Sequence, residues 1–550
     1  MARPNIKDMT LREKIAQLLI VRMSDLIMDA STSYTKFRAP EEAAQIMEKN
    51  QFGGIWLHGN TDVNQINDVW NKNVNFTVEE LRAWYEDVRK NVKIPVIAAG
   101  DTGRAAGMSS FPAGLAIGAS SDPDAAYKLG RSIAGELSHI GQDWIWSPIV
   151  DYCYRRSGGI GRQYSNIPED ITRCAIGYME GFHSRGMLST VKHFPGSDFT
   201  QTIGRDSHIV TSNYGMPLDK WEKTQGKIFQ DVIDAGVDAV MVIAHSWPLV
   251  DDTKVKGRYL PAGLSYKITT ELLKEKMGFK GVVITDDVTM GGFTSFYNGG
   301  RLYAEFIKAG NDMLLGVSVD AVDLIEEEVK KGILTEERID DAVMRVFDMK
   351  EKLGLFSEGY RKPDWTFEEA KAESAKLARE IAETSVTLIR DRENRIPFKK
   401  KEIKNVAIVC YTHREGIFTS LKTMKEEFEK SGCNVTLYRR LNSFEEAQEV
   451  ADNNDLIVYV GYIGFHAPKG APSFYDDEFW ALRHAFVYGV DKSVGVSLGY
   501  PHIHYDVMDD ANIFINAYNP AVETQKAVVK GILGDIPFVG KSPVELDGVE

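Results

Sequence analysis

Short apolar runs punctuate the chain, and most stop on a polar residue. GGIWLHG (53–59), IPVIAAGD (94–101), WIWSPIVD (144–151), STVKHF (189–194), AVMVIAHS (239–246), GVVITDD (281–287) and DMLLGVS (312–318) each read as a strand. Stretches with helical spacing of apolar residues lie between them, such as DAAYKLGRSIAGELSHIG and SYKITTELLKEKMGF. Residues 10–22 predict an amphipathic helix, with Thr10 as its cap and Glu13 three positions on. Strands alternating with helices of this length predict parallel α/β structure. About seven or eight such units over roughly 320 residues favour a TIM-type (β/α)8 barrel over a small open sheet. Two further helices, AVDLIEEEVKKGIL and TEERIDDAVMRVFDMKEKLGLF, are expected to close it.

The pattern then changes. SEGYRKPDWTFEEAK is polar, contains Pro363 and reads as a linker near 357–371, leading into a long helix over about 367–384. An α/β rhythm restarts in SVTLIRD, NVAIVCY, NVTLYRR, DLIVYVGY, SVGVSLGY and ANIFINAY. The expected organisation is a barrel domain over 1–356, a linker and connecting helix over 357–384, and a smaller α/β sandwich domain over 385–550 with a doubly wound sheet. No glycine-rich phosphate loop sits between the later strands and helices, so no nucleotide cofactor is expected.

Composition narrows the function classes. The chain has 550 residues, 43% of them hydrophobic, and a formal net charge of -14. That charge disfavours a nucleic-acid or anionic-membrane binder. The four cysteines, Cys153, Cys174, Cys410 and Cys433, are far apart and form no CxxC pair. They point to a reducing compartment and away from a cysteine metal site. The N-terminus lacks the continuous apolar core of a signal peptide, and no stretch reaches the roughly 20 apolar residues that span a bilayer. A soluble cytoplasmic protein is expected, with no metal and no cofactor.

The candidate chemistry lies at the strand ends. Asp286 and Asp287 end the run GVVIT, and side chains along a strand alternate in direction. Asp286 is the one expected at the mouth of the barrel, with Asp287 directed to the side. The bland alternative is that the pair caps the following helix. Asp206, Ser207 and His208 form a triplet in a polar loop. A carboxylate two residues from an imidazole can fix its tautomer and raise its basicity, which suits proton transfer near neutral pH. The triplet reads equally as a polar turn. Lys192, His193 and His245 sit at strand ends, where they either grip hydroxyl groups or are satisfied in the core. Asp101 is placed to bind two hydroxyls, and Arg162 to clamp one or to pair with an acid. Met290 is either an apolar wall of the site or a core residue. HExxH, GxSxG and the dinucleotide fingerprint are all absent.

Taken together, these segments resemble glycoside hydrolase family 3, and within it the bacterial two-domain β-N-acetylhexosaminidase branch. MTLREKIAQ is similar to the family's opening helix and GGIWLHGN to its first-strand region. SPIVDY, GRQYS, KHFPG, DSH, GFKGVVITDDVTMGG and AGNDMLLG follow in the family's order, and the likeness continues to GILGDIPFVGKSPVEL. The resemblance implies a retaining exo-β-glycosidase acting on small glycosides or oligosaccharides such as cell-wall fragments. It implies Asp286 as nucleophile, His208 as acid/base and Asp206 as its dyad partner. It also implies substrate contacts from Asp101, Arg162, Lys192 and His193. A β-glucosidase, a glycoside phosphorylase and a non-catalytic sugar-binding protein are the alternatives. The C-terminal domain is expected either to brace the barrel or to form an oligomer interface, such as that of a homodimer. Two departures stand out. SDFTQTIGR replaces the usual HGDT after KHFPG, and DTGRAAG replaces DQEGG. The first brings Arg205, which either pairs with Asp206 or meets an anionic substrate, and the second brings Arg104; SPIVDYCYRRSGG adds Arg155 and Arg156, and these extra arginines either recognise an anionic group or face solvent.

Overall fold

Eight short segments pair in parallel and close on themselves. The protein is seen here in a computed structural model, which describes residues 2–27, 40–57, 76–101, 107–154, 162–196, 207–357, 363–463, 474, 476–503 and 509–546. The strands are β1 (Leu19–Arg22), β2 (Gly54–Trp56), β3 (Ile97–Gly100), β4 (Trp144–Ile145), β5 (Thr190–Phe194), β6 (Ala239–Val242), β7 (Val282–Asp287) and β8 (Met313–Val317). Their order is β4-β3-β2-β1-β8-β7-β6-β5, which is chain order read around a ring. The ring closes between the segments holding β4 and β5. Ile145 N–H donates to Leu188 O and Val150 N–H to Lys192 O, both at 2.9 Å. Strands covered on both faces are expected to be continuously apolar, and β6 and β8 are buried along their whole length. The expected barrel is present.

The first strand departs from the sequence reading. Thr10 and Glu13 do form a reciprocal capping box on the helix Leu11–Gln17. The helix stops there, however, and Leu19–Arg22 becomes β1. The apolar run from Ile15 to Val21 spans both elements, and so short a run has no period that separates buried helix from buried strand. GGIWLHG therefore supplies the second strand rather than the first.

Ile20, Ala99, Trp144, Met241, Ile284 and Leu315 belong to one cluster that fills the barrel. Val346, Met349, Leu353 and Leu355, from the closing helix Glu336–Lys352 and just beyond it, join that cluster. The opposite face of the sheet packs against the surrounding helices. Where the strands begin, carboxylates tie neighbours together. Asp143, Asp238 and Asp312 stand directly before β4, β6 and β8. Their side chains accept the backbone N–H groups of Ala98 (3.0 Å), Ser189 (2.8 Å) and Val283 (2.9 Å) on or beside the preceding strands. Asp312 also accepts from Lys274 and Arg338, each at 2.7 Å.

A second sheet holds β9 (Thr387–Asp391), β10 (Asn405–Tyr411), β11 (Asn434–Tyr438), β12 (Leu456–Gly461), β13 (Ser493–Ser497) and β14 (Ile513–Asn516). Its order is β9-β14-β13-β12-β10-β11, parallel except for β9 against β14. All six predicted runs are strands, and they form the separate α/β sheet expected. The helix Phe367–Ser385 lies against the barrel helix Ala125–Leu137, with the Ser374 and Ser132 hydroxyls 2.8 Å apart. The segment after the second sheet returns to the barrel. Lys541 N–H donates to Ala119 O at 2.9 Å, Ser165 Oγ to Pro543 O at 2.5 Å and Glu545 N–H to Asn166 Oδ1 at 3.0 Å. Among the described residues, no helix is long and apolar enough to cross a membrane.

Candidate active site

The two neighbouring carboxylates at the end of β7 meet different surroundings. β7 pairs in regular register with β6 from Val282 to Thr285. Its pairing with β8 is irregular between Ile284 and Asp287, where Thr285 Oγ1 accepts the Leu315 N–H at 3.0 Å. Irregularities of this kind re-aim side chains at strand ends. Asp287 Oδ1 accepts from Arg22 Nη2 (2.5 Å), Thr289 N–H (2.9 Å) and Thr289 Oγ1 (2.7 Å). Arg22 also donates to Gly316 O at 2.9 Å, and its guanidinium lies 5.5 Å from the Trp56 ring centre. One arginine from β1 thus gathers the ends of β2, β7 and β8. Asp286 accepts the Asp287 N–H at 2.8 Å and is partly exposed at the strand's C-terminal end. That end is where barrel enzymes carry their reacting groups.

The ends of β3, β4 and β5 form a second polar group. Lys192, buried on β5, donates to Asp101 Oδ1 at 2.6 Å, just past β3. His193 Nδ1 lies 2.6 Å from Asp151 Oδ2, and both residues are buried. Burial would raise the Asp151 carboxyl, but the attraction and hydrogen bonds of His193, with Arg162 nearby, hold it below the usual carboxylate range. Arg162 is itself exposed. The turn after β5 explains the rest of KHFPG. Trp221 Nε1 donates to Pro195 O at 2.7 Å. Gly196 has φ +121°, and a Cβ there would fall 2.4 Å from Gln225 Cδ, so only glycine fits.

His208 is exposed, and its loop is seated by backbone contacts on the turn that follows β7. Its carbonyl accepts the Gly291 N–H at 2.8 Å, and the Ser207 carbonyl accepts the Gly292 N–H at 3.2 Å. Farther along, Ser212–Asn213 pairs in parallel with His245–Ser246. His245, half-buried, is therefore aligned with the segment that follows His208. Met290 is buried in the hydrophobic core. Asp206 lies outside the described residues, as do Arg104, Arg155, Arg156 and Arg205. Among the described residues, no cluster of His, Cys, Asp and Glu is arranged to hold a metal ion.

Four participants were not singled out from sequence. Asp151 ends WIWSPIVD as visibly as Asp101 ends IPVIAAGD, so its position at a strand end was a usable signal. Arg22 had none, because β1 itself was read as helix. Gly291 and Gly292 stand together after TDDVTM, and paired glycines mark close backbone approach.

The model of the glycosyl hydrolase family 3 N terminal domain matches residues 10–349. A beta-N-acetylglucosaminidase/beta-glucosidase of Cellulomonas fimi is 25% identical over 455 residues, covering 78% of this chain and 79% of the relative. Two solved structures share the fold over 98% of this chain. The beta-glucoside phosphorylase BglX matches with TM-score 0.81, 24% identity and 94% of its own chain covered. A family 3 beta-N-acetylglucosaminidase from Paenibacillus sp. FPU-7 matches with TM-score 0.78, 22% identity and 99% covered. The chain belongs to glycosyl hydrolase family 3.

Proposed function

We propose that this family 3 glycosidase is a retaining, exo-acting β-N-acetylhexosaminidase with Asp286 as nucleophile and His208 as acid/base. The observation that carries the reading is the division of labour between neighbours. Asp287 is committed to Arg22 and Thr289, while Asp286 stands partly exposed at the barrel mouth beside the turn that seats the His208 loop. In the first step the Asp286 carboxylate attacks the anomeric carbon. The His208 imidazolium gives its proton to the departing glycosidic oxygen. In the second step neutral His208 takes a proton from water, whose oxygen displaces Asp286 from the anomeric carbon with net retention. Asp206 is the proposed partner of the imidazole. Asp101, Lys192, Arg162 and His193 hold the sugar, with His245 alongside, and Met290 backs the site from the core. The Cellulomonas fimi relative, whose name carries both activities, supports N-acetylglucosaminides with glucosides as the near alternative. Cell-wall fragments in the cytoplasm are the proposed setting, consistent with four free thiols.

Hydrolysis of aryl β-N-acetylglucosaminides by wild type and by Asp286→Asn tests the reading. The variant is expected to lose turnover by about 10⁴-fold or more while melting close to wild type. A normal rate in the variant would sink the nucleophile assignment. One feature favours phosphorolysis as a second reading. An imidazole repels an approaching phosphate less than a carboxylate acid/base does. Formation of a sugar 1-phosphate on adding inorganic phosphate would select it; free sugar alone would select hydrolysis.

A further inference from the structure

We propose that Gly291 and Gly292 are positioning residues for the proton donor: their backbone seats the His208 loop on the strand-end turn of the nucleophile. The proposal rests on the reading of His208 and Asp286 given above. The short helix Gly291–Thr294 opens with backbone N–H groups that no helical carbonyl can satisfy. The loop supplies the acceptors. His208 O takes the Gly291 N–H at 2.8 Å and Ser207 O takes the Gly292 N–H at 3.2 Å. The Thr211 hydroxyl returns a bond to Gly292 O at 2.8 Å. The approach is too close for any side chain. A Cβ on Gly291 would lie 2.2 Å from Ile209 O, and one on Gly292 would lie 2.7 Å from Ala244 Cβ and 2.9 Å from Ser207 O.

The turn beneath is fixed in its own right. Met290 N–H donates to Asp287 O and Val288 N–H to Leu315 O, both at 3.0 Å. Asp287 is clamped by Arg22. Asp286, the clamp and the His208 seat therefore form one backbone unit. The far end of the loop is held by the pairing of Ser212–Asn213 with His245–Ser246. A proton donor works only within hydrogen-bond reach of the leaving oxygen, and a displacement of about 1 Å costs about 10²-fold.

The readout is dependence on the leaving group. Departure of 2,4-dinitrophenolate needs no proton, whereas departure of phenolate does. Aryl β-N-acetylglucosaminides bearing 2,4-dinitrophenyl, 4-nitrophenyl and phenyl groups are compared on Gly291→Ala, Thr211→Val and His208→Ala. Gly291→Ala is expected to lose about 10²-fold in kcat/KM on the phenyl substrate and under about threefold on the dinitrophenyl one. Thr211→Val removes one loop contact without adding a Cβ. It is expected to steepen the dependence in the same direction by a few fold, and it serves as the test if Gly291→Ala does not fold. Equal losses on all three substrates, or a dependence unchanged from wild type in both variants, overturn the positioning role. His208→Ala separates this from failure of the underlying reading. A selective loss in His208→Ala without one in the other variants overturns the positioning role alone. An unselective His208→Ala overturns the acid assignment, and the positioning role with it.

Discussion

Asp286 and Asp287 have the same side chain on the same strand, and their partners divide them. An arginine contact of 2.5 Å and two bonds from Thr289 occupy Asp287. The alternation of side chains foreshadowed this division, but the partner did not appear in the sequence. Arg22 lies more than 260 positions away on a strand read as helix. Lys350 is another residue that only packing could reveal. It is fully buried against the barrel, with Nζ 2.6 Å from Gln17 Oε1. Burial, with Arg89 nearby, pushes its amine down to about 7. In the unfolded chain it titrates near the ordinary lysine value of about 10.4. Between these values the unfolded chain binds more protons than the folded one, so stability rises with pH. Below about 7 both states are protonated and the full burial penalty stands. Lys350→Met should therefore be more stable than wild type at pH 7, by on the order of a few kcal/mol. Its advantage should shrink as the pH approaches 10. Denaturant unfolding at both pH values measures this, and an advantage independent of pH would refute it.

At the scale of elements, the two ends of the barrel do different things. The strand starts carry Asp143, Asp238 and Asp312 as ties to their neighbours, and the strand ends carry Asp101, Asp151, Lys192, His193 and Asp286. Conserving structure at one end and chemistry at the other is a general property of this barrel. Asp312→Ala tests the division. It strands the buried Lys274 and removes one of the two carboxylates that Arg338 holds, Asp341 remaining at 2.7 Å. Removing one member of a buried ion pair costs about 3–5 kcal/mol. The folded variant should keep kcat and KM within about threefold, because the change lies at the non-catalytic end. A large loss of kcat with unchanged stability would contradict it. The strand ends were legible because a polar residue stops most of the apolar runs. The ties were also on view, in QDWIW, VDAVMV and NDMLLG. An aspartate before an apolar run reads as ordinary turn chemistry, however, until its partner on the neighbouring strand is known.

For the whole molecule, the strand–helix rhythm predicts the second sheet and every barrel strand except β1. Closure of the barrel was harder to read, because β4 is only two residues long and its segment meets that of β5 through two isolated bridges, Trp144 with Leu188 and Ile149 with Lys192, each with one residue outside its strand. The return of residues 541–545 to the barrel had no local signature. Val544 and Tyr518 share the barrel's outer core, and Pro543 O accepts from Ser165 three residues past Arg162. The C-terminal part thus braces the loop that carries a proposed sugar-binding arginine. The proposed chemistry turns on one covalent bond, from Asp286 to the anomeric carbon. The most direct test incubates the protein with a 5-fluoro-N-acetylglucosaminyl fluoride, which slows release of a covalent glycosyl-enzyme, and maps the label by peptide mass spectrometry. One added sugar is expected, on Asp286, and none in Asp286→Asn. A label on another residue, or turnover with inverted configuration and no label, would contradict it.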